Sequence, residues 1–393
     1  MSFLDACPKI YFGRHSLDYL ELLPAGKTLL VCDPFMVESG IVRKVTDRLD
    51  HFNREYVTFA DVEPDPSIGV VTSALQMLFR EKPDNVIALG GGSAIDTAKA
   101  VIYFCMKYKG LLMGQQYIHS PFFVAVPTTS GTGSEVTSYT VLTDRENDVK
   151  IPLNDRCMTP DVAILDPIFT KTLPKPMVAY TGMDVLTHAL ESYVTPCASS
   201  FTDMYAVAAA RGTLRWLPAV FSGDESDAAH QEMMISSTMA GLAFSNSGLG
   251  ICHGIAHTIG ADFHVPHGKA NSIILPYAIA FNAGIGLYID PSRPNALGRY
   301  GRIAGELGFI GDDKDQAAQL VLRVLALNEQ FGTPLGFAAN GIDPEVFAGK
   351  VPDMVQKILR DITTSANPVT VTPDDVERLL DDILHGRNPL DAR

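Results

Sequence analysis

Short apolar runs alternate with helical patterns through the first part of the chain, and this alternation restricts the fold more than any other feature. The runs are TLLVCD (28–33), REYVTFAD (54–61), NVIALG (85–90), FFVAVP (122–127) and DVAILDP (161–167). Between them, helical periodicity occurs near 38–49, at 67–81 and over AIDTAKAVIYFCMK, 94–107. Near-continuous apolar runs mark strands buried on both faces, and intervening helices are the crossovers that a parallel sheet needs. SYTVLTD (138–144) and VKIPLND (149–155) read as one further pair of strands. From about Met177 strand signals largely vanish, and helical periodicity runs to the C-terminus with Gly or Pro punctuation near 196, 218, 248, 266 and 276. The expected fold is an α/β domain with a parallel, Rossmann-like sheet over 1–174, then an all-α domain over 175–393. The composition shift at TKTLPKP (170–176) sets the boundary.

A chain of 393 residues, 46% of them hydrophobic, suffices for two buried cores. Its net charge of −14, with no Lys/Arg run, disfavours nucleic acid and anionic membranes as partners and leaves small molecules or further copies of the chain. The N-terminus lacks a basic region followed by an apolar stretch, and no uninterrupted apolar run is long enough to span a bilayer, so a cytoplasmic protein is expected. The six cysteines (Cys7, Cys32, Cys105, Cys157, Cys197, Cys252) form no CxxC pair, which fits free thiols in a reducing compartment.

Two loops are candidate phosphate cradles. Gly90–Ser93 follows a strand and opens a helix, so backbone N–H groups and the helix dipole could meet a pyrophosphate. Many strand-to-helix turns carry glycine for backbone reasons alone, but a second loop after the next strand, TTSGTGSE (128–135), adds hydroxyls and glycines. Neither has the Gly-Lys-Ser/Thr ending of a phosphoryl-transfer loop. Asp33 ends a strand, where a carboxylate can accept from ribose hydroxyls; the alternative is a turn residue before Pro34.

The second half holds an acid and histidines at helical spacing. Asp184 and His188 in GMDVLTHALE stand at i and i+4, on one helical face; His253 and His257 in CHGIAHTIG repeat that spacing. Pro266 is tolerated at a helix start but not inside one, so HVPHG ends one helix and begins another, with His267 in a first turn. Imidazoles with one carboxylate suit Fe(II), Zn(II), Co(II) or Mn(II) in a catalytic site. Taken singly, each histidine reads better as a buried, satisfied core residue; taken as a set in three short helical motifs with an acidic partner, they do not. Cys252 reads as a small helix residue, and His264 as a loop residue.

The set GGGSAIDTAKA, PTTSGTGSEVT, DVAILDP, GMDVLTHALE, FSNSGLGICHGIAH and HVPHGKANSIILP resembles the iron-containing (group III) alcohol dehydrogenase family. Within it the chain looks most like the 1-propanol dehydrogenases of bacterial propanediol-utilisation microcompartments. The resemblance implies metal ligands Asp184, His188, His253 and His267, with His257 close to the nicotinamide rather than on the metal; one helical turn from His253, His257 is a candidate proton relay or, with near-equal weight, support for the metal site. It implies NAD(H) contacts at Gly91, Gly92, Ser93, Thr128, Thr129, Thr132 and Lys150, and Asp33 on the adenosine ribose, where an acid would repel a 2′-phosphate. It also implies Fe(II), with Zn(II) as alternative, a homodimer or larger homo-oligomer, and a microcompartment as a second location. Asp65 stands where relatives commonly have Asn, the segment between Lys107 and Pro121 is shorter than in many members, and no targeting extension precedes the first strand.

The activity implied is interconversion of short primary alcohols and aldehydes; Phe244 and Tyr139 are candidate walls for a small substrate or, equally well, core packing residues. The alternatives are a polyol dehydrogenase of the same plan (glycerol, propanediols or lactaldehyde), a dehydroquinate-synthase-like lyase, or an inactive scaffold member. A lyase of that kind would want a basic pocket, and few Lys or Arg flank the metal motifs; loss of a ligand would favour the scaffold, and all four are present.

Overall fold

The computed structural model describes residues 4–5, 8–113, 120–145 and 149–392; Cys7 lies outside them. Its strands are β1 (Lys9–Phe12), β2 (Thr28–Cys32), β3 (Tyr56–Phe59), β4 (Asn85–Gly90), β5 (Phe122–Pro127), β6 (Tyr139–Asp144), β7 (Val149–Asn154) and β8 (Val162–Leu165). Six form one parallel sheet in the order β1-β8-β5-β4-β2-β3, while β6 and β7 pair as an antiparallel hairpin. Successive residues face opposite sides of the sheet. Leu29, Val31, Val86 and Ala88 therefore enter one core, and Leu30, Cys32, Ile87 and Leu89 the other. Each large apolar side chain buried this way contributes about 1.5–3 kcal/mol, which is why central strands read as unbroken apolar runs.

The helices are α1 (Pro34–Glu38), α2 (Arg43–His51), α3 (Ile68–Glu81), α4 (Gly92–Met113), α5 (Lys175–Val194), α6 (Ser200–Ser222) and α7 (Asp227–Ser247). They continue with α8 (Ile251–Phe263), α9 (His267–Ala283), α10 (Leu297–Glu306), α11 (Asp313–Gln330), α12 (Pro344–Arg360), α13 (Ile362–Ser365) and α14 (Pro373–His385). Contacts divide the chain into two compact units: Met1–Leu173 with Glu225–Ser245, and Pro174–Asp224 with Asn246–Arg393. The first is α/β and contains every described strand; the second is helical. In the second unit α5 packs on α6 and α9, and α8 packs on α9, α12 and α13.

Several local expectations are corrected. The single helix expected near 38–49 is two, α1 and α2, because Gly40 takes a left-handed φ of +74° between them. Strand β1 carries no apolar run because it is an edge strand and mostly exposed. Pro218 and Pro276 punctuate nothing: they lie inside α6 and α9, where packing on neighbouring helices outweighs one lost backbone hydrogen bond. The stretch His267–Tyr288 is apolar and long enough to cross a membrane by length and composition, yet 89% of its apolar window is buried within the protein.

Candidate metal centre and cofactor loops

In the first unit three loops leave adjacent strands at their carboxyl ends. Cys32 is in register with Leu89, and Gly90 with Pro127, so the turns after β2, β4 and β5 emerge side by side. The chain order reverses between β2 and β4, since β2 leads outward to β3 while β4 leads the other way to β5. Ligands of open α/β sheets bind at such a reversal. Gly90 holds φ at +154°, and a Cβ there would stand 2.6 Å from the Ala94 Cβ, so only glycine makes this turn into α4. A Cβ on Gly91 would meet Thr129 at 3.4 Å, and one on Gly92 would stand 3.0 Å from Thr132 Cγ2. The threonine loop is thus laid against the start of α4, whose first N–H groups lack intrahelical partners.

The loop is pinned from below. Lys99, fully buried on α4, donates to Ser134 Oγ (2.8 Å), Thr137 Oγ1 (2.9 Å) and the Tyr139 carbonyl (2.9 Å). Burial pushes its pKa down to about 8, against the nearby carboxylates of Asp96 and Glu135. Asp33 accepts from the Met36 N–H through Oδ1 (3.1 Å), capping α1, while Oδ2 lies beside Gly90. The turn role of Asp33 is thus met through Oδ1. Lys150 is on β7 in the hairpin and pairs with Asp65 at 3.1 Å. Tyr139 opens β6, and Phe244 is half-buried near the end of α7.

The second unit brings four donors together. Asp184 and His188 sit one turn apart on α5, His253 in the first turn of α8, and His267 at the first position of α9. Asp184 Oδ1 lies 3.8 Å from His188 Nε2, 3.6 Å from His253 Nε2 and 3.6 Å from His267 Nε2. Donor atoms of Asp184, His188 and His253 all lie within 4.8 Å of one another. Four donors about 2.1 Å from a tetrahedral ion stand roughly 3.4 Å apart, so this spacing and donor chemistry fit a divalent cation. The side chains of Asp184, His188 and His253 are at most 6% exposed, whereas His267 is 42% exposed and forms the open side. Gly268 lets α9 approach: a Cβ there would stand 2.2 Å from the Tyr180 carbonyl oxygen of α5.

Three supporting residues escaped the sequence reading. Buried Glu191, one turn beyond His188, accepts from His253 Nδ1 at 2.5 Å and from the Cys252 N–H at 2.8 Å. Its signal lay in GMDVLTHALE, where positions i, i+4 and i+7 share one face. Asn271, four residues after His267, donates Nδ2 to Asp184 Oδ1 (2.7 Å), close to the Nε2 atoms of His253 (3.2 Å) and His267 (3.1 Å). The third is Asp361, far along the chain, whose Oδ2 lies 2.9 Å from His257 Nδ1. Burial opposes ionisation of Asp184, but the charges of His188 and His267 and the hydrogen bond from His253 hold its pKa well below the carboxylate range. Burial likewise opposes charge on His253, yet bonds to Asp184 and Glu191 push its pKa up to about 9. His257 is half-buried and stacks on His267 (5.4 Å between centroids, 15°), while His264 is exposed, in a left-handed turn that ends α8.

Family models match almost end to end: iron-containing alcohol dehydrogenase over residues 7–167, and the C-terminal model of the Fe-containing alcohol dehydrogenase family over 178–384. The chain belongs to the iron-containing alcohol dehydrogenase family. It is an oxidoreductase of the alcohol dehydrogenase type. It is 39% identical to the 1-propanol dehydrogenase PduQ of Citrobacter freundii over 363 residues, covering 92% of this chain and 94% of the relative. It is 38% identical to an NADPH-dependent butanol dehydrogenase of Clostridium saccharobutylicum, covering 91% and 92%. Among solved structures, the iron-containing alcohol dehydrogenase of Thermococcus thioreducens matches with a TM-score of 0.86 at 32% identity, over 98% of this chain and all of that one. Sulfoacetaldehyde reductase of Bifidobacterium kashiwanohense, solved with NAD+, matches at 0.83 and 26%, covering 98% of each.

Proposed function

We propose that this alcohol dehydrogenase interconverts short primary alcohols and aldehydes of the propanal type, using Fe(II) and NAD(H). The carrying observation is the donor set Asp184, His188, His253 and His267, with three imidazole nitrogens 3.6–3.8 Å from one carboxylate oxygen. The substrate class is supported by the 1-propanol and butanol dehydrogenases among its relatives. NAD(H) is supported by the NAD+ complex of a structural neighbour and by the Asp33 carboxylate, whose charge opposes the 2′-phosphate of NADP(H).

When bound, the metal supplies Lewis-acid polarisation of the substrate oxygen, and the nicotinamide supplies or accepts hydride. The chain's own residues do the remainder. Gly91, Gly92, Ser93, Thr128, Thr129 and Thr132 cradle the pyrophosphate with backbone N–H groups and hydroxyls at the start of α4. Glu191 accepts the hydrogen bond from His253 Nδ1–H, which would leave the Nε2 lone pair free to hold the metal. Asn271 braces Asp184. The near-complete burial of three donors keeps competing water out. His257, which does not join the donor set, moves the proton between the substrate oxygen and solvent.

The test is anaerobic purification, metal analysis and NADH oxidation with a panel of short aldehydes, beside His253→Ala. Bound iron near one per chain and a variant lacking both metal and turnover are expected. A variant that kept metal and full activity would sink the assignment.

A further inference from the structure

His257 Nδ1 lies 2.9 Å from Asp361 Oδ2, and the carboxylate is itself held firmly. Asp361 Oδ1 accepts from the Thr363 N–H (2.8 Å) and from the Thr363 hydroxyl (2.6 Å), capping α13. The turn is seated on the helix that carries both histidines, because α8 has no side chain at Gly254. A Cβ there would stand 2.0 Å from Thr364 Oγ1. Farther along, Asn367 Oδ1 accepts from the Ile251 N–H at the start of α8 (3.1 Å). The segment is therefore clamped along α8 beside His253 and His257, which a chance surface ion pair would not require. Burial opposes ionisation of Asp361, but the hydrogen bonds from His257 and Thr363 hold its pKa well below the usual carboxylate range.

An ionised carboxylate only accepts hydrogen bonds, so the proton of the shared bond sits on Nδ1 and the Nε2 lone pair is left for other chemistry. We propose that Asp361 is the positioning residue of His257: it fixes ring orientation and tautomer, making Nε2 the atom that exchanges a proton with the substrate oxygen. This rests on the relay reading of His257. In alcohol oxidation the O–H bond breaks and its proton passes to Nε2, while the C–H pair leaves as hydride to NAD+ and the C=O bond forms. The imidazolium then releases its proton to solvent. Aldehyde reduction runs the same steps backwards, with NADH as reductant.

Asp361→Asn separates this role from a structural one, because Asn caps a helix about as well as Asp, whereas its amide N–H₂ can oppose Nδ1 only when that atom is unprotonated. The readouts are kcat and KM for propanal, the solvent deuterium isotope effect on kcat, bound metal and NADH affinity, for wild type, D361N, His257→Ala and the double variant. D361N is expected to lower kcat about 100-fold, the low end for a lost acid–base contribution, and to raise the isotope effect, with KM, metal and NADH binding unchanged. The double variant should be no slower than the slower single one. If D361N stays within twofold of wild type while H257A is impaired, the Asp361 role fails and the relay reading survives. If H257A turns over normally, the relay reading fails first. Metal loss in D361N, or an equal D361N penalty in the H257A background, would mark Asp361 as merely structural and overturn the proposal.

Discussion

Replacing Glu191 by Gln removes one charge from the metal centre at almost no change in volume, and the hydrogen bonds around it then force His253 into the wrong tautomer. Glu191 uses both oxygens: Oε1 accepts from the Cys252 N–H and Oε2 from His253 Nδ1. A glutamine has one acceptor oxygen, and the Cys252 N–H can only donate, so that oxygen is drawn to it. The amide N–H₂ then faces His253 and requires Nδ1 to accept, which places the imidazole proton on Nε2, the atom aimed at Asp184 Oδ1 from 3.6 Å. Either protein must free Nε2 of its proton to bind a metal, but wild type keeps the Nδ1–H bond to Glu191, whereas the variant is left with an N–H facing the amide N–H₂. A lost charge-assisted hydrogen bond is worth about 1.5–3 kcal/mol, and losing a partner that orients a ligating histidine typically costs about 10–100-fold in metal affinity. A hundredfold is about 2.7 kcal/mol, so the two routes agree. The assay is iron or zinc affinity of anaerobic E191Q by competition with a chelator, with circular dichroism to confirm the fold. Affinity within twofold of wild type, in a folded variant, would refute the orienting role of Glu191.

Asp33→Ser keeps the helix cap but removes the charge; the ratio of kcat/KM for NADPH over NADH should rise tenfold or more, since about 1.4 kcal/mol of relieved repulsion suffices. Gly268→Ala sets a methyl 2.2 Å from the Tyr180 carbonyl; overpacking of this kind costs about 1–3 kcal/mol, visible as a lower thermal midpoint and reduced metal content. Metal affinity should rise with pH below about 9, by about tenfold per pH unit for one displaced proton, because His253 is protonated below that value and must lose its proton to become a ligand. A flat profile from pH 6 to 8 in chelator competition would contradict this.

The α/β half was legible because strands buried on both faces must be unbroken apolar runs, and Leu29–Cys32, Val86–Leu89 and Phe123–Val126 are such runs. Edge strand β1 was not, since exposed residues carry no such constraint. Asp184 with His188 announced a shared face through helical spacing, and Glu191 belonged to the same face without being read there. Asp361 had no signal at all: it lies 104 residues from His257, and a lone Asp before Ile-Thr-Thr says only that a helix starts.

By itself, the sequence determined the class of each half, the two loops opposite a candidate dinucleotide and the residue types able to hold an ion, because backbone periodicity and ligand chemistry are local properties. Tertiary structure decided which distant groups meet. It grouped Glu225–Ser245 with the α/β unit, set Asn271 among the donors, and brought the Asp361 turn onto α8 where Gly254 leaves room. Those choices come from close packing between segments far apart in the chain, where one missing Cβ or one buried carboxylate selects the neighbour, and no periodicity along the chain encodes that selection.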